Sequence, residues 1–119
     1  MSRRRMVTPE IWKDDAVASM TRDERLLFVG MITIADDDGR LVASPAHLLG
    51  AIYPHDADVT PKLVRAWRDA VRAKNANVLL YESGGHEYIA FAKWTNVNKP
   101  THATPSKIPG PPRALRTAS

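Results

Sequence analysis

The sequence contains no cysteine. Disulfides, thiolate metal sites and cysteine nucleophiles are therefore excluded, and this usage fits a reducing cytoplasm. No apolar run approaches the roughly 18 residues of a membrane span, so no membrane association is expected. The N-terminal MSRRRM is basic but lacks the apolar stretch of a secretory signal after it, and it reads as an arm. Enzymatic signatures are missing as well. There is no phosphate-cradling glycine loop and no HExxH; His47, His55, His86 and His102 are too scattered for a ligand set. Ser44, Ser83 and Ser106 have no evident base partner. No catalysis, cofactor or metal is expected. What remains is 119 residues, one domain's worth, enough for a real core without staples.

Charge is present in quantity, and its placement matters more than its sum. The net charge is +4, yet residues 9–94 carry ten basic against thirteen acidic side chains. The surplus sits in Arg3, Arg4 and Arg5 at one end and in Lys99, Lys107, Arg113 and Arg116 at the other. Acids gather in the first half, from Asp14 to Asp38. Five cations and one acid lie between Thr60 and Lys74. A chain polarised in this way can steer a polyanion to one face and to both tails.

The stretch DVTPKLVRAWRDAVRAKN organises the rest. Thr60-Pro61 is a helix start, because the hydroxyl can accept from an orphan amide and proline at the first position loses no needed donor. At about 100° per residue, Leu63, Val64, Trp67, Ala70 and Val71 form an apolar stripe. Arg65, Arg68 and Arg72 fall away from it, with Lys62 a little further round and Asp69 between them. Such a face is either a solvated charge block or a contact for a polyanion.

Similar chemistry punctuates the chain elsewhere. Thr8-Pro9-Glu10 predicts a short helix with Ile11 and Trp12 packed inward. Thr21 and Glu24 form a capping box, and the helix that follows, Leu26 to Ala35, is apolar nearly all round and should be the spine of the core. Asp36-Asp37-Asp38-Gly39 ends it; the spacing does not suit a calcium loop, and acids at a glycine are more often turn formers. Leu41-Val42 suits a very short strand. Ser44-Pro45 opens a helix that buries Leu48, Leu49 and Ile52. After Asn75 the pattern becomes strand-like, Val78–Glu82 and Glu87–Lys93, joined by Ser83-Gly84-Gly85-His86, where positive φ is needed. Five of the nine prolines follow Thr95, and predict an extended tail.

From residue 21 the order is helix, short strand, helix, helix, hairpin. The expectation is a mostly α fold with a small β-hairpin (α+β), arranged as a winged helix-turn-helix. Its parts are a basic arm over 1–8, the domain over 9–94 and a basic proline-rich tail over 95–119.

The residues also carry a resemblance. MVTPEIWKDDAVASM, TRDERLLFVGMITIADDDGRL and LLGAIYPHD, then HEYIAFAKWTNVNKP and THATPSKIPGPP, resemble phage and prophage replication-initiation and replisome-organiser proteins of the DnaD-like type. Related helix-turn-helix proteins of actinobacterial phages share the pattern, which covers residues 3–112. The resemblance implies a winged-helix DNA-binding domain working in phage DNA replication or transcription regulation, inside the bacterial cytoplasm. Larger members engage host or phage replication proteins through a further C-terminal region.

On this reading double-stranded DNA meets Lys62, Arg65, Arg68 and Arg72, with Thr60, Lys62 and Arg65 placed for base edges and Arg72 nearer phosphate. Asp69 would orient Arg65 as an i, i+4 pair. Ser83 and His86 sit at the wing tip, which is otherwise simply a turn. Arg3, Arg4 and Arg5 resemble arms that enter minor grooves, or an electrostatic tether. Lys99 and Lys107 belong to a phosphate-tracking strand, or to a tail pinned across the domain by Trp94 and Ile108. No heptad pattern is visible, so a monomer that pairs on DNA is expected. The competing reading is a small phage protein that binds a host protein through its acidic first half.

Overall fold

The computed structural model describes residues 4–96, 98 and 103–117. The chain opens with a 3-10 turn over Pro9–Lys13 and then runs α1 (Asp15–Ala18), α2 (Arg22–Ile34), β1 (Arg40–Val42), α3 (Pro45–Ile52), α4 (Pro61–Lys74), β2 (Val78–Ser83) and β3 (His86–Phe91). A second 3-10 turn, Trp94–Asn96, and α5 (Arg113–Thr117) follow. The fold is α+β, with one three-stranded antiparallel sheet ordered β1-β3-β2.

The first expected helix does not form as one piece. Pro9–Lys13 winds as a 3-10 turn, and Asp14 then caps α1, accepting from Ala16 N at 2.8 Å and Val17 N at 3.3 Å. Neighbouring residues of such a turn stand about 120° apart, so Ile11 touches the core while Trp12 is 62% exposed rather than packed inward.

Helix α2 begins as its residues require. Thr21 Oγ1 accepts from Glu24 N at 3.2 Å, and Glu24 Oε1 accepts from Thr21 N at 3.1 Å. Leu27 and Met31 are fully buried, and so are Leu48 of α3, Val64 and Val71 of α4, and Ile89 of β3. Each such side chain contributes about 1.5–3 kcal/mol by leaving water. Leu26 points out at 53% exposure, so the spine has a wet side.

The hairpin turns on Gly84 (φ 60°) and Gly85 (φ 82°), both in the left-handed region that a tight two-residue turn demands. Cross-strand pairs share a face, so Leu41, Leu80 and Ile89 lie on one side of the sheet with Val78 and Phe91. That side meets the helices. The other side carries Arg40, Val42, Leu79, Tyr81, Tyr88 and Ala90.

The tail runs over this second side rather than trailing free. Tyr81 donates its hydroxyl to Pro109 O at 2.7 Å, Arg40 Nη1 donates to Ile108 O at 2.8 Å, and Pro111 is buried. Of the two readings of the tail, residues 103–112 take the pinned one, and a last helical turn, α5, lies beyond it. The anchor is the loop after α2. Asp37 Oδ2 accepts from Thr104 N at 2.8 Å, Asp38 Oδ2 accepts from Ser106 N at 2.9 Å, and Asp36 accepts from the Ser106 hydroxyl. Asp36 Oδ1 also accepts from the amides of Asp38 and Arg40, both at 3.0 Å, which is the turn-forming role.

Gly39 closes that loop at φ 76°, and a Cβ there would stand 2.5 Å from the Trp94 ring. At Gly84, φ is also positive but nothing lies within 4 Å. Gly84→Ala is therefore expected to cost about 1–2 kcal/mol from backbone strain alone. Gly39→Ala should cost clearly more, because Trp94 must move as well. Urea denaturation of the two variants checks this; equal midpoints would show that the Trp94 contact is soft.

Candidate nucleic-acid interface

Helix α4 is fixed by what its sequence buries. Thr60 Oγ1 accepts from Leu63 N at 3.2 Å and starts it, with Pro61 in the first turn. Val64 and Val71 dock it on the core, and Trp67 lies half-buried against Tyr53, ring centroids 5.6 Å apart. Tyr53 closes α3, its backbone N–H donating to Leu49 O, and burial, then the charges of Asp23 and Asp56, pushes its hydroxyl pKa up to about 12. Leu63, expected in the stripe, is 40% exposed, so the buried side is narrower than the apolar one.

The cations of α4 divide into three kinds. Lys62, Arg65 and Arg72 are exposed, and no hydrogen bond or ion pair among the described residues engages their side chains. Lys74, at the C-terminal end, binds Glu24 Oε1 of α2 at 2.6 Å. Arg68 is withdrawn altogether, at 2% exposure. Its Nη1 donates to Ala43 O at 2.8 Å and lies 3.1 Å from Glu87 Oε2, and its Nε reaches Asp69 Oδ1 at 3.1 Å. Arg68 thus cannot belong to a DNA-facing set, which corrects the expectation from sequence. The reason is angular: Arg68 lies about 40° from Val64 and about 60° from Val71, at the edge of the buried side. Asp69 is accordingly occupied by Arg68, and does not pair with Arg65.

The N-terminal arm needs a second correction. Arg5 is not free to enter a groove. Its Nε and Nη2 donate to Ala35 O at 3.1 and 2.9 Å, and Nη2 is 2.9 Å from Asp37 Oδ1. The guanidinium also sits 5.4 Å from the Trp94 ring centroid, and Trp94 Nε1 donates to Asp37 O at 2.9 Å. Arg5 is a clamp between the arm, the loop after α2 and Trp94. Arg4 beside it is exposed, as is Lys107. Arg3 and Lys99 lie outside the described residues.

At the hairpin, Ser83 is half-buried and His86 is exposed, its ring 6.3 Å from that of Tyr88. No lysine or arginine occurs between Val78 and Phe91. Glu82 lies directly across from Glu87, and Arg68 neutralises only the second of them. The hairpin tip is therefore neutral and small, with one acid behind it. Sequence reasoning missed Arg5, Arg68 and Arg40 as internal fasteners. The one local signal was the run of three aspartates, whose oxygens needed donors from somewhere.

The outward side of α4 consists of Lys62, Arg65, Ala66, Asp69, Arg72 and Ala73. Long cations alternate there with alanines, so nothing bulky keeps the helix from a groove about 12 Å wide. No protein-family model, no characterised protein and no solved structure matches this chain.

The link between α2 and the end of α4 has a pH signature. Burial alone would raise the Glu24 pKa, but the Lys74 ammonium and the Thr21 bonds outweigh it, and the net effect is below the ordinary value of 4.5. A carboxyl lowered in the folded state stabilises fully above its unfolded pKa and loses that contribution as pH falls through the folded one. Glu24→Gln should therefore be less stable than wild type at pH 7, with the gap shrinking below about pH 4. Thermal melts at pH 7 and pH 3 check this. A gap that stays constant would mean that Glu24 serves only as a neutral hydrogen-bonding group.

Proposed function

We propose that residues 21–91 form a winged helix-turn-helix domain that binds double-stranded DNA, with α4 as the recognition helix and the β2–β3 hairpin as the wing. The observed order α2, β1, α3, α4, β2, β3 and the β1-β3-β2 sheet support this arrangement. The observation that carries it is the free trio Lys62, Arg65 and Arg72 on one outward side of a helix that Val64 and Val71 of its other side dock on the core. Thr60, exposed at the helix N-terminus, adds amide and hydroxyl groups suited to a phosphate. The wing approaches the backbone through Ser83, His86 and the turn amides rather than through charge. Arg4 and Lys107 add long-range attraction.

The resemblance to phage replication initiators and replisome organisers supports a role in phage DNA replication or in transcription control within the host cell. The same reading has a monomer in solution that pairs on DNA. It is a binding protein, without chemistry of its own. The rival, a host-protein partner docking on the acidic first half, finds part of that charge already engaged: Glu24 is buried and paired with Lys74, and Asp36, Asp37 and Asp38 hold the tail. Among the described residues, no helix is long and apolar enough to cross a membrane.

Three or four phosphate contacts imply that log K falls against log salt with a slope of roughly −3 to −4. Arg72→Ala should weaken selected and arbitrary duplexes alike and reduce that slope by about one. Arg65→Ala should cost about 1–3 kcal/mol at a selected site and relax one base pair, because a guanidinium fork can grip guanine O6 and N7 together. Fluorescence anisotropy with both duplexes across a salt series measures all three. A flat salt response, or no binding at low salt, would remove DNA as the ligand.

A further inference from the structure

The outward side of α4 contains one acid, and it sits where it does the most. By angle Asp69 is about 20° from Lys62, about 40° from Arg65 and about 60° from Arg72. It is about 160° from both Trp67 and Val71, the residues that dock the helix. By direction, Asp69 therefore leaves the helix near the centre of the outward side. For phosphate binding this is the wrong charge, since an acid amid three cations lowers the attraction to any duplex.

The carboxylate is also held. Arg68 Nε and Nη2 both reach Oδ1, each at 3.1 Å, and no donor among the described residues reaches Oδ2. The side chain remains 47% exposed. Arg68 in turn is fixed by Ala43 O and Glu87, on two other elements. One oxygen is thus anchored to the domain interior while the other is presented outward as a fixed acceptor, with little side-chain freedom left to lose on binding.

We propose that Asp69 reads a base. Resting on the DNA-binding reading above, its Oδ2 accepts a hydrogen bond from an exocyclic amine in the major groove, cytosine N4 or adenine N6. A carboxylate can only accept, so it meets guanine O6 and N7 or thymine O4 with repulsion, and the selection works in both directions. The four steps from Arg65 to Asp69 rise about 6 Å, which puts the two contacts within about two base pairs of each other. Arg65 supplies the donor fork and Asp69 the acceptor.

The test is selection from a randomised duplex pool with wild type, Asp69→Ala and Arg65→Ala, followed by affinities for the winning duplex and each of its single base-pair replacements. Asp69→Ala should keep its fold, because Arg68 retains Ala43 O and Glu87; a thermal melt verifies this. The wild-type winner should hold a fixed cytosine or adenine within two base pairs of the guanine that Arg65→Ala ceases to prefer; which of the two is fixed decides between N4 and N6. Asp69→Ala should lose about ten-fold of the preference at that position, yet bind arbitrary duplex as tightly as wild type or tighter. If Asp69→Ala tightens every duplex by one common factor and no position changes, Asp69 is only a charge and the proposal falls. If wild type binds duplexes with a steep salt response but selects no sequence, base reading falls and DNA binding stands. No binding to any duplex overturns both.

Discussion

A buried guanidinium is the constraint on which the arrangement of this domain turns. Arg68 cannot shed its proton, so withdrawing it to 2% exposure is tolerable only if every direction of its fork meets an acceptor. Ala43 O, Glu87 and Asp69 supply them from the approach to α3, from β3 and from α4 itself. Ala43 N also donates to Glu87 O at 2.9 Å, so the same few atoms join the sheet edge to the helix pair. Removing Glu87 and Asp69 together would leave an uncompensated charge, at about 3–5 kcal/mol, which is why the angle between α4 and the hairpin is not free to drift.

The loop Asp36–Gly39 solves a related problem at the other end of the sheet. Three adjacent carboxylates would repel one another and fray the end of α2 if they were left alone. Here Arg5 from one end of the chain and the amides of Thr104 and Ser106 from the other converge on them. Asn98 adds a further tie, its Oδ1 accepting from Met6 N at 2.8 Å. Trp94 lies under the loop and stacks on Phe91 at 5.6 Å, which joins this cluster to the core. Both terminal segments are in this way parts of the folded domain, and covering the outer side of the sheet with Ile108 to Pro111 protects Leu79 and Ala90 from water.

What was legible in the sequence was local. The capping box at Thr21, the Thr60-Pro61 start and the Gly-Gly turn each depend on a few consecutive residues, and each appears where those residues require it. The destinations of Arg5 and Arg68 were not legible, because they depend on which distant carbonyls and carboxylates arrive beside them. Arg68 shows the limit sharply. On a helical wheel it belongs with Arg65 and Arg72 almost as well as with Val64, and only the presence of Glu87 on the facing strand decides. Trp12 failed for a different reason: neighbouring residues of an α or 3-10 turn stand about 100–120° apart, so Ile11 and Trp12 cannot both face inward on so short a turn.

The number of basic residues on α4 therefore overstates what a partner would meet. Of the five cations between Thr60 and Lys74, Arg68 and Lys74 are matched to acids inside the domain, and three remain outward. The hairpin adds none and carries Glu82. Under the DNA-binding proposal, an interface built this way would have modest non-specific attraction and would take its selectivity from geometry: a helix locked at one angle, small alanines between its cations, and a neutral turn. Weak general attraction with rigid local chemistry is the combination that favours one sequence over many, since every kilocalorie of uniform phosphate binding raises the competing sites equally.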